Sequence, residues 1–238
     1  MTILNNNTLQ LTNIGKYKLV NTLKAIDNNS NPVLVTTIKE NEKFKTLLIN
    51  KEKSIIGVNS FKINEKIFNG SRMDSYSNNE HVGLGEIMRL TSIINVIENN
   101  LRKIQIFSLN EAIPFHLKYK FKPKIQTDDS MLDILNRIAS SEEKKLSNYS
   151  QKAEEIFSDI FFNGSINQEH NYYEELPDFI ISYVNKIREE KLPWNKTLNS
   201  PGLNFKEDLP MELTIQNIKD NKSFFNDLFA KHKIDYKI

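Results

Sequence analysis

Cysteine is absent from the 238-residue chain. Without thiols there are no disulfides, no thiolate metal sites and no cysteine nucleophile. Long apolar runs are missing too. With 39% hydrophobic residues and a mean hydropathy of -0.49, no window reaches the roughly 18 uninterrupted apolar residues that a bilayer helix needs, so no membrane association is expected. The opening stretch Met1 to Gln10 is Asn-rich and has neither a basic n-region nor an apolar h-region, from which a cytoplasmic location is expected. Nor is one sign of charge in excess: 32 Lys and Arg face 30 Asp and Glu, a net charge of +2 that does not point to nucleic acid.

Several catalytic signatures are absent as well. His81, His116, His170 and His232 form no H-E-x-x-H and no i, i+4 pair, so no metal site is expected. Ser60, Ser77 and Ser165 lack the G-x-S-x-G elbow of an α/β-hydrolase. Gly83-Leu84-Gly85 has Met88 where a third glycine would complete G-x-G-x-x-G, and no Gly-Lys-Ser/Thr follows, so dinucleotide and P-loop fingerprints both fail.

What is present begins with a meander. Lys16 to Ile26 reads as an extended or short helical lead-in, and Asp27-Asn28-Asn29-Ser30-Asn31-Pro32 as a strong turn whose side chains bond locally to backbone. Val33 to Ile38, Lys45 to Asn50, Ser54 to Ile63 and Ile67 to Ser75 read as strands with connections too short for crossover helices, hence antiparallel neighbours. The period changes after Gly85. Ile87, Leu90, Ile93, Ile94, Ile97 and Leu101 mark one apolar face of a helix from about Glu86 to Asn100, closed by Asn99-Asn100. A buried strand over Lys103 to Leu109 and a helix from Asn110 to Tyr119 follow. Further helices are predicted over Met131 to Ile138 behind an Asp128-Asp129-Ser130 cap, over Glu142 to Phe161, and over Tyr173 to Glu190 with an interruption near Pro177. Leu192 to Pro210 reads as a loop, Met211 to Ile215 as a strand and Lys222 to His232 as a last helix.

Charge divides along the chain. Residues 1 to 130 carry 18 basic and 12 acidic residues, whereas residues 131 to 190 carry 6 and 12. The front half therefore suits an anion and the helical stretch a cation. Gly83-Leu84-Gly85, after a strand and before a helix, is either an ordinary turn or a cradle in which unpaired helix N–H groups meet an anion such as a diphosphate. Tyr172, Tyr173 and Trp194 are aromatic spots in the acidic region, explained most simply as packing.

The stretch Ser108 to Pro123 resembles the GNAT superfamily of acyl-CoA N-acyltransferases, whose motif reads roughly A-x-x-F-Y-x-K-x-G-F-x-P; Ala112, Phe115, Lys118, Phe121 and Pro123 match it. Gly83 and Gly85 stand in register with the superfamily's Q/R-x-x-G-x-G, with Glu80 at the Gln/Arg place, His116 in place of the usual tyrosine and Lys120 in place of the usual glycine. The resemblance implies an α/β (α+β) fold: a mixed, mostly antiparallel GNAT-like sheet flanked by helices, over residues 1–127 and 209–238, with a helical insertion over 128–208 before the last strand returns. It implies acetyl-CoA or another acyl-CoA as co-substrate, its diphosphate on Val82, Gly83, Leu84, Gly85 and Glu86, and its thioester carbonyl near the amide of Ser75. It implies direct attack by an amine, with Asp74 or Glu86 as base and His116 as the acid that reprotonates the thiolate. The acceptor would be a small amine or a protein amine, and the acidic stretch favours a basic one such as a polyamine, an aminoglycoside or a lysine-bearing protein. Two other readings stand beside it: a catalytically inactive GNAT-like binding module, and an interaction or effector protein acting through the helical insertion.

Overall fold

A computed structural model describes residues 17–76, 80–194 and 209–238. The chain divides into two compact units, residues 1–104 with 214–238, and residues 105–213. Among the described residues there are eight strands, mostly antiparallel, with flanking helices, which is the fold class the sequence implied.

The first unit is built on a meander. β1 (Lys18–Ile26), β2 (Pro32–Glu40), β3 (Lys43–Ile49), β4 (Ile55–Asn64) and β5 (Ile67–Ser75) lie side by side in chain order, each antiparallel to the next. The lead-in before the first turn is a strand throughout, because Leu19 to Ile26 pairs with Pro32 to Ile38 across that turn. Period-2 alternation buries Val33, Val35, Leu48, Phe61 and Phe68. Phe44, Phe61 and Phe68 stack across three adjacent strands, with centroids 5.1 and 4.1 Å apart.

Helix α1 (Leu84–Glu98) packs on β3, β4 and β5 and is covered by α6 (Ile215–Asp220) and α7 (Lys222–Lys231). The single apolar face expected from the sequence is therefore a correction: twelve of its fifteen residues are buried, including Thr91, Ser92 and Asn95. These polar residues are tolerated because they bond back to carbonyls one turn earlier, Thr91 to Ile87, Ser92 to Met88 and Asn95 to Thr91, at 2.9 to 3.0 Å. Ser92 Oγ also accepts from Asn59 Nδ2 of β4 at 3.0 Å, tying helix to sheet. α6 had no signal in the sequence apart from its cap, Thr214, whose hydroxyl accepts the Asn217 amide at 3.1 Å.

The second unit holds most of β6 (Lys103–Ser108), a 3-10 turn (Asn110–Ala112), α2 (Ile113–Lys118), β7 (Lys122–Pro123), α3 (Asp128–Ala139), a second 3-10 turn (Lys144–Leu146), α4 (Ser147–Asn163), α5 (Tyr172–Glu189) and β8 (Leu209–Thr214). Strand order is β6-β8-β7, and β7 runs antiparallel to β8 with Lys122 opposite Glu212. Two expectations need correction here. Thr127, not the Asp128–Ser130 group, caps α3 through the Ser130 amide at 3.2 Å, which leaves Asp128 and Asp129 in the first turn where the helix dipole favours them. Pro177 does not interrupt α5: it lies in the second turn and deletes one intrahelical bond, and Leu176, Ile180, Tyr183, Val184 and Ile187 keep the helix buried on one side. The expected loop over 192–210 falls largely outside the described residues, as do Met1 to Gln10 and Ser77. No described helix is long and apolar enough to cross a membrane.

Helix ends carry a common device. α1, α2, α5 and α7 close with paired 6→1 and 5→2 bonds, for example Phe121 N to His116 O at 3.2 Å and Lys120 N to Leu117 O at 3.0 Å. The left-handed residues are Asn100, Lys120, Lys191 and Lys233, with φ of 50°, 65°, 53° and 50°. Lys120 thus keeps the conformation that the GNAT motif gives to glycine, without the glycine.

Candidate functional site

The turn between β1 and β2 shapes the segment that precedes α1. Asp27 is buried, and its Oδ1 accepts the amides of Asn29 and Asn31 at 2.9 and 2.8 Å. Its Oδ2 accepts Asn31 Nδ2 at 3.3 Å and His81 Nδ1 at 2.9 Å. Burial alone raises the Asp27 carboxyl, but the donors from Asn31, His81 and Asn29 outweigh it and hold the group below its ordinary value. An ionised carboxylate only accepts, so His81 carries its proton on Nδ1.

The same turn grips the neighbouring backbone. Asn29 Nδ2 and Asn31 Nδ2 donate to the carbonyl of Glu80 at 2.9 and 2.7 Å, and the Asn28 amide donates to the carbonyl of Val82 at 2.9 Å. Gly83 follows with φ 85° and ψ 12°, a left-handed residue that caps α1. A Cβ there would lie 2.6 Å from the Asn28 side chain, so glycine is required by conformation and by space together.

Beyond Gly83 the helix begins. The amides of Glu86 and Ile87 return to the Gly83 carbonyl at 3.0 and 3.3 Å. No acceptor stands against the amides of Leu84 and Gly85 among the described residues, as the open first turn of a helix leaves them. Glu86 points inward instead of outward. Its Oε1 accepts His232 Nε2 at 2.6 Å and also the Lys231 ammonium, while His232 Nδ1 donates to the Ile26 carbonyl at 2.7 Å. Because a carbonyl only accepts, His232 is protonated on Nδ1, and a single shared proton lies between its Nε2 and Glu86. Ile26 N bonds the His232 carbonyl at 2.8 Å in return. Consecutive residues at the end of β1, Ile26 and Asp27, thus anchor the chain on both sides of the Gly83 junction.

The candidate residues are distributed as follows. Val82, Gly83, Leu84, Gly85 and Glu86 form one junction, with Val82 exposed and Leu84 buried. Ser75 ends β5 opposite Gly57, and Asp74 makes an ion pair with the exposed Arg72 at 2.6 Å. His116 belongs to the second unit, buried on α2 against the rings of Phe115 and Phe121, 5.2 and 5.6 Å between centroids. Asn28, Asp27, His81 and His232 escaped the sequence reading. The turn itself was legible, but nothing in one sequence says that a turn at 27–31 and a histidine at 232 meet the same helix start.

Two outcomes test this construction. Gly83→Ala is expected to destabilise by roughly 1–2 kcal/mol from its left-handed φ, and further from the clash with Asn28. Adding Asn28→Ala should recover the clash part alone, which urea denaturation of the single and double variants measures. Asp27→Asn removes a carboxylate whose pKa is depressed on folding, and should cost on the order of 1–3 kcal/mol near neutral pH. For a depressed carboxyl, the stabilisation is present above the unfolded value near 3.8 and lost as pH falls through the lower folded value. Melting temperatures taken down through pH 4 should therefore converge between the variant and the parent; a constant gap would contradict the assignment.

No family model matches the chain, and no curated protein matches its sequence. Among solved structures, parts of the chain are similar to several GNAT acetyltransferases. Tetrahymena GCN5 aligns at 13% identity and a TM-score of 0.34, over 37% of this chain and 56% of that one. A GNAT-family acetyltransferase from Staphylococcus aureus aligns at 16% identity and a TM-score of 0.32, over 37% and 58%. The PaiA N-acetyltransferase of Thermoplasma acidophilum, solved in complex with coenzyme A, aligns at 14% identity and a TM-score of 0.31, over 37% and 56%. The chain spans little more than half the length of each of these proteins, and the likeness is that of a GNAT-like segment.

Proposed function

We propose that this chain is an acyl-CoA-dependent N-acyltransferase, moving an acetyl or other acyl group from the thioester of acyl-CoA to an amine. The observation that carries this reading is the Gly83 junction: a left-handed glycine, fixed from both sides, opens a 15-residue buried helix whose Leu84 and Gly85 amides have no acceptor among the described residues. Such an opening fits a diphosphate, whose charge the helix dipole and the amides favour, and the excess of bases in residues 1–130 favours the same anion. Glu80, at the place where a neutral or basic residue would help, has an exposed side chain, and its carbonyl serves the turn instead.

In this reading the amide near Ser75 polarises the thioester carbonyl as the amine attacks, and negative charge on that oxygen grows toward the donor. The amine loses its proton to Asp74, on the same strand end as Ser75 and held by Arg72. The thiolate of the departing CoA takes a proton from His116. Glu86 contributes its place in the first turn and, through His232 and Lys231, the fixed start of the helix; a carboxylate engaged by two cationic partners is a poor proton acceptor. The acceptor is an amine, small or protein-borne.

A thermal-shift titration tests the reading. CoA and acyl-CoAs of increasing acyl length should raise the melting temperature with concentration, by about 2.7 kcal/mol of added stability at a hundredfold excess over Kd. A folded chain whose transition does not move with millimolar CoA would rule the acyl-CoA reading out.

A further inference from the structure

The end of α4 leaves apolar groups in solvent. Phe161, Phe162 and Ile166 are 68%, 79% and 67% exposed. The two rings meet edge to face with centroids 5.3 Å apart, so they form one surface instead of two isolated spots. Single exposed apolar residues are ordinary, whereas grouped ones mark a contact face.

This surface is held in place. Gly164 ends α4 with φ 85°, its amide on the Ile160 carbonyl at 2.9 Å, and the following loop is closed by the Ile166–Asn171 bridge. Asp159, one turn before the rings, accepts Asn163 Nδ2, Asn167 Nδ2 and Tyr172 OH at 2.7, 3.0 and 2.7 Å. The apolar group therefore sits on a hydrogen-bonded platform and needs little ordering to bind.

Its surroundings carry one sign of charge. From Ala153 to Asn185 the sequence has Asp159, six other acidic residues and no Lys or Arg. Those six, Glu154, Glu155, Glu169, Glu174, Glu175 and Asp178, are exposed. Glu155 pairs with Lys152 at 3.4 Å, Asp178 with Lys122 at 3.0 Å and Glu175 with His170 at 3.2 Å. Glu154, Glu169 and Glu174 have no basic partner among the described residues.

We propose that the Phe161–Phe162–Ile166 surface docks a basic amphipathic segment of another protein, its apolar side chains on the two rings and its Lys and Arg on the surrounding carboxylates. An apolar centre with a charged rim is the anatomy of a protein interface. Nucleic acid and anionic membrane share the charge sign of the rim and are repelled by it. A neutral apolar partner would desolvate carboxylates without replacing their hydration. The inference does not depend on acyl transfer.

Fluorescence anisotropy on the full chain tests it, with a labelled 18-residue helical peptide of Leu on one face and Lys on the other as probe, beside a scrambled peptide of the same composition. The helical peptide should bind at least tenfold more tightly than the scrambled one, and added salt should weaken it. Phe161→Ser with Phe162→Ser should lose at least tenfold of that affinity with an unchanged melting temperature, since both rings are in solvent. Glu154→Gln with Glu169→Gln and Glu174→Gln should weaken binding and flatten its salt dependence. Equal binding of both peptides, or of the helical peptide by the Phe variant, would overturn the proposal. So would sedimentation showing a dimer of this chain that the Phe variant turns into a monomer, which would assign the surface to a second copy.

Discussion

Two buried carboxylate–imidazole pairs hold the start of α1, and much of the first unit is organised around them. Asp27 with His81 fixes the segment before Gly83, and Glu86 with His232 fixes the turn after it. An ionised carboxylate taken out of water is costly unless its oxygens are bonded, and both groups here accept several donors each. The pairs share a root at the end of β1. Displacing that strand end would release both, so the edge of the meander and the C-terminal helix act on the same few residues of backbone.

Gly83 gains its meaning from the way the rest of the chain treats left-handed positions. Only seven glycines occur, and nine non-glycine residues of the described chain take positive φ, four of them at helix ends. Asn or Lys at such an end gives up about 1 kcal/mol relative to glycine, a loss that a well-packed helix absorbs. At Gly83 no such trade is open, because Asn28 occupies the space a side chain would need. A glycine kept where other left-handed positions go without one marks backbone that must stay bare. The charge division adds to this: an anion-favouring first half and an acid-rich helical stretch suit two different kinds of partner.

Local grammar made much of the fold legible. The strand over Ile67 to Ser75 was readable to the residue, and α1 to within two, because alternation and 3.6-residue periodicity report burial directly. Burial all round α1 was not readable, since Thr91, Ser92 and Asn95 look like a solvent face until their back-bonds to the preceding turn are seen. α6 is too short to leave a periodic trace. Of the site, Val82 to Glu86 could be named from the glycines, but the inward turn of Glu86 could not, because its partners Lys231 and His232 are 145 and 146 positions away. Asp27 was visible as a turn former, and its second role, through His81, is a long-range contact that a single sequence does not encode.

The central claim is that the amides around Leu84, held open by these two pairs, receive the diphosphate of CoA. Backbone amide resonances of the 15N-labelled chain, followed during titration with CoA, address it residue by residue. The account predicts that Gly83, Leu84, Gly85 and Glu86 shift most and saturate together. Binding of CoA that leaves those four resonances in place, while others move, would contradict it.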